Sequence, residues 1–270
     1  MPRNVQNLRA ALWSTLLGFG LLATGCGDDL PARTGDEPLP CEAVTTTYGI
    51  DHADLSAVVA QEIDLDGDHR PDDALGRAHD LLTAFAPDFD VSGRFGDRLA
   101  TDIAWNIRVD QCNGHVRVGI GPTDTGLPHA AGAVLGNGEL TAEDGQAQLP
   151  LLALADASGT TSDPGWRVGD AVTIKATLAG DSLDGVFAMA VPTAMVRAEL
   201  AAPITAFLDA QPVDNALRAA TDLDHDGVVT AAEVTATSTY DAMTQSDLEL
   251  TIAGEPQTSI AFRFHATALR

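Results

Sequence analysis

Residues 221 to 234 read TDLDHDGVVTAAEV, with aspartates at 222, 224 and 226, a glycine at 227 and a glutamate at 233. Carboxylates at alternate positions, a sharp turn and a later carboxylate can give a hard divalent cation the about six to eight oxygens it takes at adjustable geometry. Counting from Asp222, the donors would be Asp222, Asp224, Asp226, the Val228 carbonyl, Thr230 (directly or through water) and both oxygens of Glu233. Gly227 would make the turn, and Val229 would anchor the loop in the core. An all-oxygen, largely anionic set suits Ca2+; Mg2+ asks for a tighter octahedron. An acidic, solvated turn with the same spacing is the alternative, and it stays open.

The stretch matches D-x-[DN]-x-[DN]-G-x5-E over 222–233. In those positions it resembles the loop of the EF-hand family. That resemblance implies one bound calcium, an incoming helix and an outgoing helix. A helical pattern does run from Pro212 to Ala220. Thr230 is placed to cap the helix begun by TAAEV, which the β-branched, polar TATSTY should keep short.

An echo lies earlier, in IDLDGDHRPDDALG, residues 63–76. Asp64, Asp66, Asp68 and Asp72 take positions one, three, five and nine. His69 stands where the pattern has glycine and Leu75 where it has glutamate, so Gly67 is the expected turn residue. A helix over Ala53–Glu62 would lead into it. Calcium or a solvated acidic turn are the two readings here. DFDVSGRFGD, residues 88–97, starts the same pattern and does not complete it.

These loops need a scaffold. DIAWNIRVDQC and HVRVGI alternate on either side of Asn113-Gly114, and the segments around Asn137-Gly138 repeat the device; both predict type I′ hairpins. AVTIKATL and SLDGVFAMAV predict a hairpin turning near Gly180–Ser182, and DLELTIAG and SIAFRFHATAL two closing strands. Helical spacing predicts helices near 74–86, 193–209 (with a kink or a restart at Pro203) and 213–221. The expected fold is α+β: an antiparallel sheet or sandwich of about eight strands carrying a helical, EF-hand-like segment. At 45% hydrophobic but 5% aromatic residues, its core should be aliphatic.

The N-terminus reads as an export leader. Arg3 and Arg9 precede the apolar run ALWSTLLGFGLLA, too short to span a bilayer, whose last alanine opens Ala-Thr-Gly-Cys, ending at Cys26. This resembles the lipobox of bacterial lipoproteins, with Ala23 where leucine is commonest. The resemblance implies a signal peptide over 1–25, lipid on Cys26 and a membrane anchor. Gly27 favours the outer over the inner membrane. Residues 26–45 read as a flexible acidic tether and 46–270 as one globular domain. The remaining cysteines, Cys41 and Cys112, are then an even pair in an oxidising compartment, expected to form a disulfide. Two separate thiols are the alternative.

With 39 acidic against 15 basic residues, the surface repels phosphate backbones, so nucleic acid is not an expected partner. No G-x-S-x-G elbow, H-E-x-x-H pair or phosphate-binding glycine loop occurs. In layout the chain resembles a group of uncharacterised exported lipoproteins from myxobacteria, which implies location and calcium only. The function expected is non-enzymatic: a calcium-binding, lipid-anchored envelope protein with a structural, adhesive or ligand-presenting role. The alternative is a calcium-dependent enzyme or carbohydrate-binding module, for which Trp166 is a candidate exposed aromatic. Neither reading names a protein or glycan partner.

Overall fold

A computed structural model describes residues 39–55, 63–85, 91–97, 99–100, 105–122, 129–130, 133–150 and 166–270. In chain order the elements are β1 (Val44–Asp54), α1 (Ala74–Phe85), α2 (Val91–Asp97), β2 (Trp105–Cys112), β3 (His115–Pro122), β4 (His129–Ala130) and β5 (Val134–Gly136). There follow β6 (Glu139–Pro150), β7 (Trp166–Ala179), β8 (Ser182–Pro192), α3 (Thr193–Asp209), α4 (Ala216–Thr221), α5 (Ala231–Ala236), α6 (Ser238–Thr244), β9 (Thr251–Ile252) and β10 (Glu255–Ala268). All belong to the body Ala32–Arg270. The predicted signal peptide, Cys26 and most of the tether lie outside the described residues. None of the described helices is long and apolar enough to cross a membrane.

One antiparallel sheet runs β4-β3-β2-β1-β10-β8-β7-β6-β5, with β9 beside β10. Its two wings curl until β3 and β4 meet β5 and β6, so the sheet nearly closes into a barrel. Asn113 and Gly114 (φ 49° and 83°) and Asn137 and Gly138 (φ 54° and 82°) make the predicted I′ hairpins, with both φ values positive. The first strand, β1, starts at Val44 inside the predicted tether and ends at Asp54, so the first two residues of the helix expected over 53–62 are strand, while residues 56–62 of that expectation lie outside the described residues. Its register with β2 and β10 makes it the bridge between the wings. Conversely, DLELTIAG yields only the two-residue β9. The Asp247 carboxylate takes the Ser259 amide of β10 (2.9 Å), and the Glu249 amide goes to Asp66 Oδ2 (2.6 Å), so the residues before β9 brace β10 and the early loop instead of extending the ladder.

The core is mostly aliphatic, as expected, around a small aromatic centre. Trp105, Phe187 and Phe262 are fully buried and pack against one another, Trp105 edge-on to both phenylalanines, with centroids 5.0–5.8 Å apart, and Phe95 of α2 meets Phe262 at 5.2 Å. Helices α1 and α3 add Leu75, Leu82, Val196 and Leu200 to this cluster. On the opposite face of β8 and β10, Val186, Ala188 and Ala261 are covered by Ile63 and Leu65, the residues flanking Asp64. Alternation along the strands thus seats the early loop on the outer face of the sheet.

Cys41 and Cys112 are disulfide-bonded with Cα atoms 5.8 Å apart, joining the lead-in of β1 to the end of β2. Beside it Asp110 is buried and takes Thr45 Oγ1 (2.6 Å), Arg108 Nε (2.9 Å) and Arg117 Nη2 (2.8 Å). Burial pushes its carboxyl up, but these three donors outweigh it and hold it below the usual range.

Candidate metal centre

Helix α3 ends at Asp209, and α4 leads from Asn215, whose side chain caps it, to Thr221. The late loop begins there. Arg218, in the last turn of α4, fastens loop to helix. Its Nη1 donates to Asp209 O (2.7 Å) and to Gln211 O, and its Nη2 donates to Gly227 O (2.6 Å) and Asp209 Oδ1 (3.3 Å). Asp209 Oδ1 also accepts the Val229 amide at 3.3 Å, while the Val229 side chain is buried as expected. Neither Arg218 nor Asp209 was singled out from sequence; an arginine one turn before the first aspartate was the only signal.

Within the loop, Gly227 adopts φ +84° and donates its amide to Asp222 Oδ2 (2.9 Å). Asp224 Oδ1 accepts the Asp226 amide (3.1 Å) and Asp226 Oδ1 the Val228 amide (2.8 Å). Glu233 folds back across the loop: Oε1 accepts from Leu223 N (2.8 Å) and Asp224 N (3.3 Å), and Oε2 from Thr230 N (2.9 Å) and Oγ1 (2.8 Å). Thr230 caps α5, forming a capping box with Glu233. Led by the Thr230 backbone and hydroxyl, these donors hold the Glu233 carboxyl below its ordinary range.

Asp222, Asp224 and Glu233 each bring an oxygen to a common point, all within 4.8 Å of one another. Asp226 and Val228 stay exposed at the loop surface, and the Thr230 hydroxyl is spent on the cap. Asp222 is 8% exposed, and its Oδ1 is buried with no hydrogen-bond partner. A buried carboxylate oxygen without a donor carries the full cost of its lost hydration. A cation between the three carboxylates removes that cost together with their mutual repulsion.

The early loop has the same backbone plan. Gly67 and His69 sit at φ +80° and +66°, in the fourth and sixth positions; in the late loop His225 and Gly227 sit there at +59° and +84°. His69 therefore makes the turn that its non-glycine identity put in question. Asp64 accepts the amides of Gly67 (2.6 Å) and His69 (2.9 Å), Asp66 that of Asp68 (3.1 Å), and Asp68 that of Arg70 (2.7 Å). Asp64, Asp66 and Asp72 converge within 4.8 Å; Asp68 lies apart, 3.7 Å from Arg70 Nε. Asp72 is buried, and desolvation pushes its carboxyl up to about 6 despite the Leu65 amide, with Asp66, Asp247 and Asp64 adding repulsion. Desolvation lifts the neighbouring Asp73 to about 7. Its Oδ1 caps Gly76 N at 2.7 Å and its Oδ2 is buried without a partner. In the third stretch, residues 91–97 are helix α2, and Ser92 Oγ accepts the Leu55 amide (2.8 Å) and donates to Asp54 (3.0 Å).

Compared with known proteins, the chain matches no family model, no curated protein and no solved structure.

Proposed function

We propose that this chain is a calcium-binding protein of the cell envelope, with Ca2+ in the 222–233 loop stabilising the fold. The observation that carries the reading is Asp222 Oδ1, buried and without a partner beside Asp224 and Glu233. In this reading the outer oxygens of the EF-hand-like set, from Asp226, Val228 and Thr230, complete the shell directly or through water. The donors are hard oxygens with no cysteine or histidine among them, which favours calcium over zinc. The early loop, through Asp64, Asp66 and Asp72 with Asp68 at its rim, would hold a second ion. Lipid on Cys26 would tether the body to a membrane, the outer one favoured by Gly27. That part rests on the leader sequence.

The role that follows is structural or ligand-presenting rather than catalytic. Outside a cell calcium is plentiful, so even a site of about 10⁻⁴ M affinity stays largely filled. An ion at about 100 times its Kd adds roughly 2.7 kcal/mol to stability. The test is thermal unfolding of the full chain against calcium concentration, beside Asp222→Asn. The unmutated protein should gain several degrees with calcium, the variant little. Equal curves for both would reject the late loop as the site.

A further inference from the structure

A cavity of about 370 Å3 opens among the helices that flank the late loop. Helices α1 and α3 line it together with Ala220 of α4, Leu223 of the loop, Val234 and Ala236 of α5, and Tyr240 and Met243 of α6. Among the described residues no charged side chain lines it, in a chain of net charge −24. Most of its hydroxyls are already committed: Thr221 to Leu217 O (2.9 Å), Thr237 to Val234 O (2.8 Å) and Tyr240 to Arg197 O. Ser238 and Thr239 supply the uncommitted polarity, and Ser238 is exposed.

We infer that this cavity binds an uncharged, largely hydrocarbon small molecule with one hydrogen-bonding end, and that calcium in the late loop tightens the binding. Three observations carry it. The volume lies in the range of small-molecule sites, about 300–1,000 Å3. The lining would leave any ionised group desolvated and unpaired, which excludes charged ligands. And Glu233 links cavity to loop, because Oε1 holds the amide of the lining residue Leu223 (2.8 Å) while the next residue, Val234, lines the same cavity. An ion drawn onto Glu233 fixes both lining segments at once, and a preorganised cavity binds more tightly. The coupling rests on the calcium reading; the cavity does not.

The test titrates the neutral dye N-phenyl-1-naphthylamine into the full chain with calcium and with chelator, beside Ala220→Trp and Ala236→Trp. Both substituted positions are exposed at the rim, where a larger side chain blocks the opening without entering the core. Saturable fluorescence that both variants reduce at least about tenfold in affinity supports the cavity. An affinity at least about fivefold higher with calcium, the lower end of ordinary couplings, supports the link. Binding that is absent, or that persists in both variants, overturns the proposal. Glu233→Gln separates the two readings. Dye binding that survives with its calcium response lost sustains both; dye binding indifferent to calcium, while calcium itself still binds, overturns the link alone.

Discussion

Asp72 closes the early loop by the same bond with which Glu233 closes the late one. Asp72 Oδ2 accepts the amide of Leu65 at 2.5 Å, and Glu233 Oε1 accepts the amide of Leu223 at 2.8 Å, each the second residue of its loop. The closing carboxylate comes from position nine in one loop and position twelve in the other. Leu75, which occupies position twelve of the early loop, is buried in the core with α1. A shorter side chain from a nearer position reaches the same amide, so the missing glutamate does not leave the loop open.

Arg218 should matter to ion binding although it touches no ion. It holds Gly227 O and the end of α3 at once, through an almost buried guanidinium. Arg218→Met keeps the stem and removes the donors. Calcium affinity measured by calorimetry should fall about tenfold or more, since each lost charge-assisted bond is worth about 1.5–3 kcal/mol. An unchanged affinity would make the clamp irrelevant to the loop.

Gly227 is a backbone requirement. At φ +84° it stands in open space, so a side chain there meets no atom and pays only in conformation. Gly227→Ala should cost about 1–2 kcal/mol by urea unfolding, and more with calcium present than without it. A neutral result would mean the loop relaxes to another turn.

Without divalent ions, the contribution of Asp72 and Asp73 to stability should fall as pH rises from about 4 to 7, against the smaller opposite contributions of Asp110 and Glu233 near the bottom of that range. The folded-state carboxyls of Asp72 and Asp73 are raised to about 6 and about 7, so at these two groups the folded chain holds more protons than the unfolded one across that window. Below about pH 4 both states are protonated and the difference vanishes; above about 7 the penalty is constant. For Asp73 it is on the order of 4 kcal/mol. Asp73→Asn should flatten the profile of unfolding midpoint against pH in chelator. An unchanged slope would show that Asp73 is not the group responsible.

Reducing Cys41–Cys112, or replacing both by serine, should cost about 4 kcal/mol on the chain-entropy account, given the 71-residue separation. Urea midpoints with and without reductant measure it. A change below about 1 kcal/mol would mean that the β1–β2 ladder alone sets the register there.

Much of the scaffold was legible because its signals are local. Asn-Gly pairs fix the hairpins, 3.6-residue spacing fixes α1 and α3, and Pro203 does lie inside α3. The strand β1 was not legible. VTTTYGIDHAD lacks a regular alternation, with only Tyr48, Ile50 and Ala53 buried, and it is a strand because β2 and β10 flank it, a fact of topology. Helix α6 was missed for a related reason: STYDAMT has poor intrinsic helicity, and burial of Tyr240 and Met243 together with the Thr237 cap offsets it. At the late loop, spacing identified the converging Asp222, Asp224 and Glu233. It could not report that Asp222 Oδ1 is left without a donor, nor that Asp209 and Arg218 brace the turn, because those depend on how α3 meets α4.

The most direct test of the central claim is calcium titration calorimetry on the full chain, beside Glu233→Gln and the double change Asp64→Ala, Asp66→Ala. Two saturable heats are predicted, one lost with each variant, the tighter belonging to the loop that contains Asp222. An unmutated protein that takes up no calcium, or one whose heats survive both variants, would contradict the account.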